Sequence, residues 1–270
     1  MAHGIASWWA FSLEDDAGGA PTVFSSLGPP LSLGGIPSLL LWWLAFFAAL
    51  HAALRARLPL PAHFSAADRA AAVAWAAAFF HHVPVVLLAL AALLRVPAPG
   101  GVPLWALAAA VPFTIAYVIA DTVATCAPQV MAGDYEMALH HGLGLLVAGA
   151  ALLAPPALLR WAPHMWLCEL SNLGLGVSWF ARKAGLEGGA AQRGGEAFFV
   201  AAFVLTRVVS LPAAVFSLTV LQWAPVARTM GAGVAAACAA ALWLIVGLQM
   251  YWLARIARML LARRKKAPPA

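Results

Sequence analysis

Seven apolar stretches dominate this chain, each near or above the roughly 20 residues that cross a bilayer core. They run over 36–54, 70–94, 102–125, 137–153, 162–180, 197–223 and 230–254. In hydrocarbon every backbone N–H and C=O must be bonded within the protein, so such runs fold as helices. The expected fold class is all-α: a multi-pass membrane protein with about seven transmembrane helices. Charged residues are only 10% of the chain, against roughly 25% in soluble domains. Residues 1–35 read as a non-spanning segment, 36–256 as the transmembrane domain and 257–270 as a basic tail.

Loop charge sets the expected orientation. One side holds Arg55, Arg57, Arg69, Arg182, Lys183, Arg193, Arg255, Arg258, Arg263, Arg264, Lys265 and Lys266, and the other only Arg95, Arg160 and Arg228. This bias of 12 to 3 favours a cytosolic C-terminus and a lumenal or external N-terminus. The net charge of +6 equals the six basic residues from Arg255 onward. That tail is either a positive-inside anchor or a site for anionic lipid headgroups. There is no second basic patch, so nucleic acid is not an expected partner; membrane lipids are. No oligomeric state is legible.

Residues 1–35 lack the basic start of a signal peptide, and Glu14, Asp15 and Asp16 interrupt the apolar stretch. Trp8, Trp9, Trp105, Trp161, Trp179, Trp223 and Trp252 fall near span ends, as in an interfacial aromatic belt. Cys126, Cys168 and Cys238 form no disulfide framework. No metal ligand set is assigned and no cofactor is expected.

Ionisable groups inside spans are costly, at least about 2.5 kcal/mol each, and point to the protein interior. Among them are His81 and His82, Asp121, His140 and His141, Glu169 and Arg207. Topology places Asp121 near a span end, level with His140 and His141 about one turn into the next helix. His81, His82, Glu169 and Arg207 lie nearer the midplane. Each has a structural reading as interhelical glue. Asp121 either pairs with Arg207 or orients a histidine, and Glu169 has the same two readings. A carboxylate beside an imidazole fixes its tautomer, as a general base, a nucleophile or a proton relay each requires. Adjacent histidines diverge by about 100° on a helix, so one of each pair is free to be structural. Glu169 and Asn172 share a face, with Ser171 beside it. Pro84 and Pro112 are possible bends. Gly144, Ala148, Gly231, Ala235 and Ala239 offer either close helix packing or a slot for an acyl chain.

Several of these residues occur in an order that resembles the TLC-domain family. The landmarks are Tyr117-x-x-x-Asp121 closing one span and His140-His141 opening the next. Glu169-x-Ser171-Asn172 follows, then Thr206-Arg207 with Pro212, and His81 or His82 lies upstream after Trp75. The likeness covers about 50–225. It implies a six-helix core, an endoplasmic-reticulum or other endomembrane location and, in the family's ceramide synthases, a lipid-sized cavity. In those enzymes the paired histidines act in acyl transfer from acyl-CoA to a long-chain base, and His140 and His141 match the pair. Glu169 and Asn172 stand where those enzymes carry aspartates, and Gly142 where they carry threonine. The chain is therefore more similar to the small TLC domain-containing proteins.

The first reading is a protein of membrane lipid homeostasis that binds a lipid or acyl chain in its bundle. Arg207, Asn172, Ser171, His81, His82 and Tyr117 would contact the lipid. The alternative is an acyl-CoA-dependent N-acyltransferase in which His140, His141, Asp121 and Glu169 are catalytic and acyl-CoA is a substrate. A proton-coupled transporter, without an evident inverted repeat, and a haem protein are further alternatives. The only lysines are Lys183, Lys265 and Lys266, outside the spans, so a retinal Schiff base is excluded.

Overall fold

The computed structural model describes residues 35–94, 104–131, 133–153 and 156–266. Residues 1–34, with Trp8 and Trp9, lie outside that set. The described residues form helices and no strand. The main ones are α1 (Gly35–Arg57), α2 (Ala66–Leu93), α3 (Leu104–Asp121), α4 (Glu136–Leu153), α5 (Glu169–Lys183), α6 (Ala190–Phe203) and α7 (Ala232–Lys266).

Five helical stretches are long and apolar enough to cross a membrane: Pro37–Arg57, Ala66–Leu93, Ala106–Met131, Ala190–Leu221 and Ala232–Ala262. A shorter apolar helix, Glu136–Leu152, makes a sixth. The expected span 162–180 is not one helix. It is a short helix, Ala162–Leu167, broken at Cys168 before α5 begins at Glu169.

Contacts between helices close a ring. α2 packs on α3, α3 on α4 and α4 on α7. α7 meets the continuation of α6 at Leu211–Phe216, α6 packs on α5, and α5 returns to α2. α1 lies outside this six-helix ring against α2 and α3. Phe47 seats it there, with ring centroids 5.4 Å from Phe113 and 5.6 Å from Tyr117. Large apolar side chains such as Leu41, Leu87, Leu205 and Leu244 are exposed on the outer surface, which suits a lipid-facing perimeter.

Two ring helices widen into π turns, which the apolar pattern does not predict. The turns are Thr122–Cys126, Val204–Ser210 and Ser217–Leu221. Each precedes a proline: Pro128, Pro212 and Pro225. Proline has no N–H, and its ring crowds the carbonyl four residues earlier. For Pro212 and Pro225 those carbonyls belong to Val208 and Leu221, both inside the π turns. The ladder shifts to i−5 bonds instead, such as Ala127 N–H to Thr122 O and Leu211 N–H to Thr206 O. Pro84, by contrast, lies within an unbroken α2.

Other sequence expectations change. The helical ladder runs past Asp121 to Met131, so Asp121 and Cys126 are not at the helix end. Trp161 is buried against the protein, with 5% exposure. The side chain of Trp105 lies outside the described set. Gly231 is not in the seventh helix; it takes φ 80° after the helix Trp223–Met230. Helix α7 continues to Lys266, so the start of the basic tail is helical.

The ring is tied at one end by polar contacts. Ser65 and Asp68 form a capping box that starts α2. Asp68 pairs with Lys183 at 2.6 Å, and His63 Nε2 donates to the Lys183 carbonyl at 2.9 Å. The start of α2 thus meets the end of α5, so the two helices are antiparallel. At the start of α4, Glu136 accepts from Arg255 at 2.7 Å and from Trp252 at 3.1 Å on α7.

The closest helix contact is α5 on α6. A Cβ on Gly174 would sit 2.8 Å from the Gly195 carbonyl oxygen and 2.8 Å from the Phe199 nitrogen. Both are backbone atoms and cannot rotate away. Gly174→Ala is expected to destabilise the purified protein by about 1–3 kcal/mol, read as a lower melting temperature in detergent. Gly144→Ala, whose Cβ would meet nothing within 4 Å, is expected to be neutral or to stabilise its helix by up to about 1 kcal/mol.

Candidate functional site

Arg207, in the second π turn, is buried where the short helix Ala162–Leu167 gives way to α5. Its Nε donates to the Cys168 carbonyl at 3.1 Å and to Ser171 Oγ at 2.9 Å. Nη1 donates to Gln249 Oε1 at 3.0 Å and Nη2 to Asn172 Oδ1 at 3.4 Å. One buried guanidinium therefore joins α5, α6 and α7.

The network continues through side-chain amide and carboxylate. Asn172 Nδ2 donates to Glu169 Oε2 at 2.6 Å, and His82 Nδ1 lies 3.2 Å from that same oxygen. His81 Nδ1 is 3.2 Å from His82 Nδ1, and His81 Nε2 is 3.2 Å from Thr114 Oγ1. His81 also stacks on Tyr117, with centroids 4.1 Å apart and planes 8° from parallel. Arg207, Asn172, Glu169, His82, His81 and Thr114 thus form one polar chain from α6 through α5 and α2 to α3. Glu169 lies in the first turn of α5, where the helix dipole favours an anion.

A second cluster occupies the facing wall. His141 Nε2 is 3.6 Å from Asp121 Oδ2. His141 Nδ1 is 3.0 Å from Thr122 Oγ1 and 3.3 Å from Cys126 Sγ. Asp121 also accepts from Thr125 at 2.8 Å. Of the two sequence readings for Asp121, the structure selects the histidine: Arg207 is bonded elsewhere, and Asp121 meets His141. His140 behaves differently from its neighbour. Its Nδ1 is buried and has no hydrogen-bond partner, and its ring lies edge-on to Trp252 at 5.4 Å.

These clusters border one cavity of about 510 Å³ inside the helix ring. Its lining includes His82, Tyr117, Asp121, His140, His141, Glu169, Asn172 and Arg207, and no residue of α1. Neither His81 nor Ser171 reaches the lining; each acts behind a neighbour. The Glu136–Arg255 pair sets the register of α4 on α7. That register puts His140, His141 and Gln249 at one level, and Ala148, Ala151, Ala235 and Ala239 towards the other end. The cavity is mostly polar at the first level and mostly apolar at the second; His164 and Thr219 also line it. From Ala235 to Trp252 the lining covers about 25 Å of α7. Gly144, Ala148, Ala235 and Ala239 line this space.

The sequence profile of the TLC domain matches residues 72–258. The chain belongs to the TLC-domain family. The TLC match begins inside α2 and ends inside α7, so it spans the six-helix ring and leaves α1 outside. No curated protein and no solved structure matches the chain.

Sequence reasoning missed one ionisable residue of this TLC protein's cavity, the buried His164, which lies 3.2 Å from Ser210 Oγ; the other missed residues are uncharged. Gln249 is 1% exposed, bonds Arg207 and lines the cavity, with Nε2 unpartnered. A lone glutamine within an apolar run was its available signal. Thr114, Thr122 and Cys126 carried none, because such residues are tolerated anywhere in a membrane helix. Gln249→Leu removes the acceptor of Arg207 Nη1 and is expected to cost about 1–3 kcal/mol. Thermal unfolding in detergent checks this, with Leu242→Met as a volume-conserving control expected below about 1.5 kcal/mol.

Proposed function

We propose that this protein acts in membrane lipid homeostasis by holding a lipid or acyl chain in the cavity of its helix ring. The observation that carries this reading is the cavity's division into a polar end and a small-residue apolar end. An acyl chain would lie along Ala148, Ala235 and Ala239, and its polar head would meet Arg207, Asn172, Glu169 and Gln249. His81, Ser171 and Tyr117 would hold those groups in place. The location that accords with this role is the endoplasmic reticulum or another endomembrane. The loop charges support a cytosolic C-terminus, and the basic tail would rest against anionic headgroups.

Native mass spectrometry of the gently released protein tests this. Wild type is expected to carry a bound lipid mass. Gly144→Trp, which places an indole in the cavity, is expected to lose most of it while keeping its melting temperature. A lipid-free wild type with the fold intact would contradict the reading.

A second reading, acyl-CoA-dependent N-acyl transfer, is favoured by one observation: His140 lines the cavity beside Trp252, and its Nδ1 has no hydrogen-bond partner. A lone pair there could take a proton from an amine or attack a thioester carbonyl. His141 and Asp121 would then shape the local field rather than react. In an assay with acyl-CoA and a panel of amine lipids, His140→Ala is expected to abolish turnover and His81→Ala to leave a measurable part of it. Full turnover in His140→Ala would exclude this mechanism.

A further inference from the structure

We propose that Asp121, Cys126 and His141 form a binding site for a divalent transition-metal ion, with zinc the best match. The argument begins with the π turn. Asp121 and Cys126 are five residues apart, a spacing that on an α-helix sets side chains about 140° apart. In Thr122–Cys126 the ladder runs i to i−5, and the wider turn brings five-residue neighbours closer to one face. The widened turn therefore brings a carboxylate and a thiol together, and α4 supplies the imidazole between them.

The Asp121–His141 distance suits a shared metal better than a hydrogen bond. His141 Nε2 to Asp121 Oδ2 is 3.6 Å, too long for an N–H···O bond. Two N or O ligands about 2.1 Å from a tetrahedral zinc stand about 3.4 Å apart. Cys126 Sγ is 3.3 Å from the other ring nitrogen, Nδ1, which Thr122 Oγ1 also meets, and one donor atom from each of the three residues lies within 4.8 Å of the others. Rotation of the Cys126 or Asp121 side chain closes the remaining gap around one imidazole nitrogen.

Charge points the same way. Among the described ion pairs Asp121 meets only His141, and the buried cation Arg207 is bonded to other groups. A divalent ion, a carboxylate, a thiolate and a neutral imidazole sum to zero charge. Binding would release the Cys126 proton. Thiolate with imidazole and carboxylate is a zinc-type donor set, and three protein ligands leave one position open. Asp121 and His141 line the cavity whereas Cys126 does not, so the open position faces the cavity. That burial also argues against Cys126 as an acyl-accepting nucleophile: the residue has 0% exposure and no cavity face. The proposal does not depend on what the cavity carries.

Metal analysis of the full-length protein, purified in detergent without chelators and re-equilibrated with zinc, tests this. About one zinc per chain is expected in wild type. Cys126→Ser and Asp121→Asn are each expected to weaken zinc by more than about tenfold, since losing even an outer-shell partner costs 10- to 100-fold. Replacing zinc with cobalt(II) gives an independent readout on wild type, a thiolate-to-cobalt charge-transfer absorption that Cys126→Ser removes. A folded wild type without stoichiometric zinc or that absorption overturns the proposal. So does zinc retained undiminished in either folded variant. If Cys126→Ser does not fold, Asp121→Asn and the wild-type cobalt spectrum decide.

Discussion

Arg207 is the interaction on which the arrangement depends. A guanidinium buried between helices is costly unless its N–H groups find acceptors inside the protein. This one donates to the Cys168 carbonyl, which Ser171 Oγ also bonds, and ties Ser171, Asn172 and Gln249 into the same network. Arg207 reaches them from a π turn that Pro212 imposes two residues later. The break, the proline and the arginine thus form one device. It brings Glu169 to the cavity wall and holds three helices at fixed register.

The cavity follows from where small residues are used for packing and where they are not. Gly174 and Gly195 bring α5 and α6 into backbone contact on one side of the ring. On the opposite side Gly144, Ala148, Ala235 and Ala239 border open space. Large side chains there would fill the ring. The same residue types therefore close one seam and open another, and only the pairing of helices distinguishes the two uses.

Most of the polar wall was legible in the sequence, because ionisable residues inside apolar runs have few places to go. His82, Asp121, His140, His141, Glu169 and Arg207 all reach the cavity. Their partnerships were not legible. Asp121 had two possible partners by depth, and helix adjacency decided for His141. The division of roles within His140-His141 depends on ring orientation, which the 100° step leaves open. The break at Cys168 was hidden inside a continuous apolar run. The π turns had a signal, a proline within each run, but a proline alone does not tell a bend from a widened ladder. Pro84 shows the difference, since α2 runs through it unbroken.

The central claim is that the interior of the ring, and not only its perimeter, is occupied by lipid. Photo-crosslinking in native membranes with a fatty acid carrying a diazirine near its tail, mapped by peptide mass spectrometry, tests this most directly. Labels on Ala148, Ala235 or Leu242, which line the cavity, are the predicted result. Labels confined to outward-facing residues such as Leu87, Leu205 and Leu244 would contradict it.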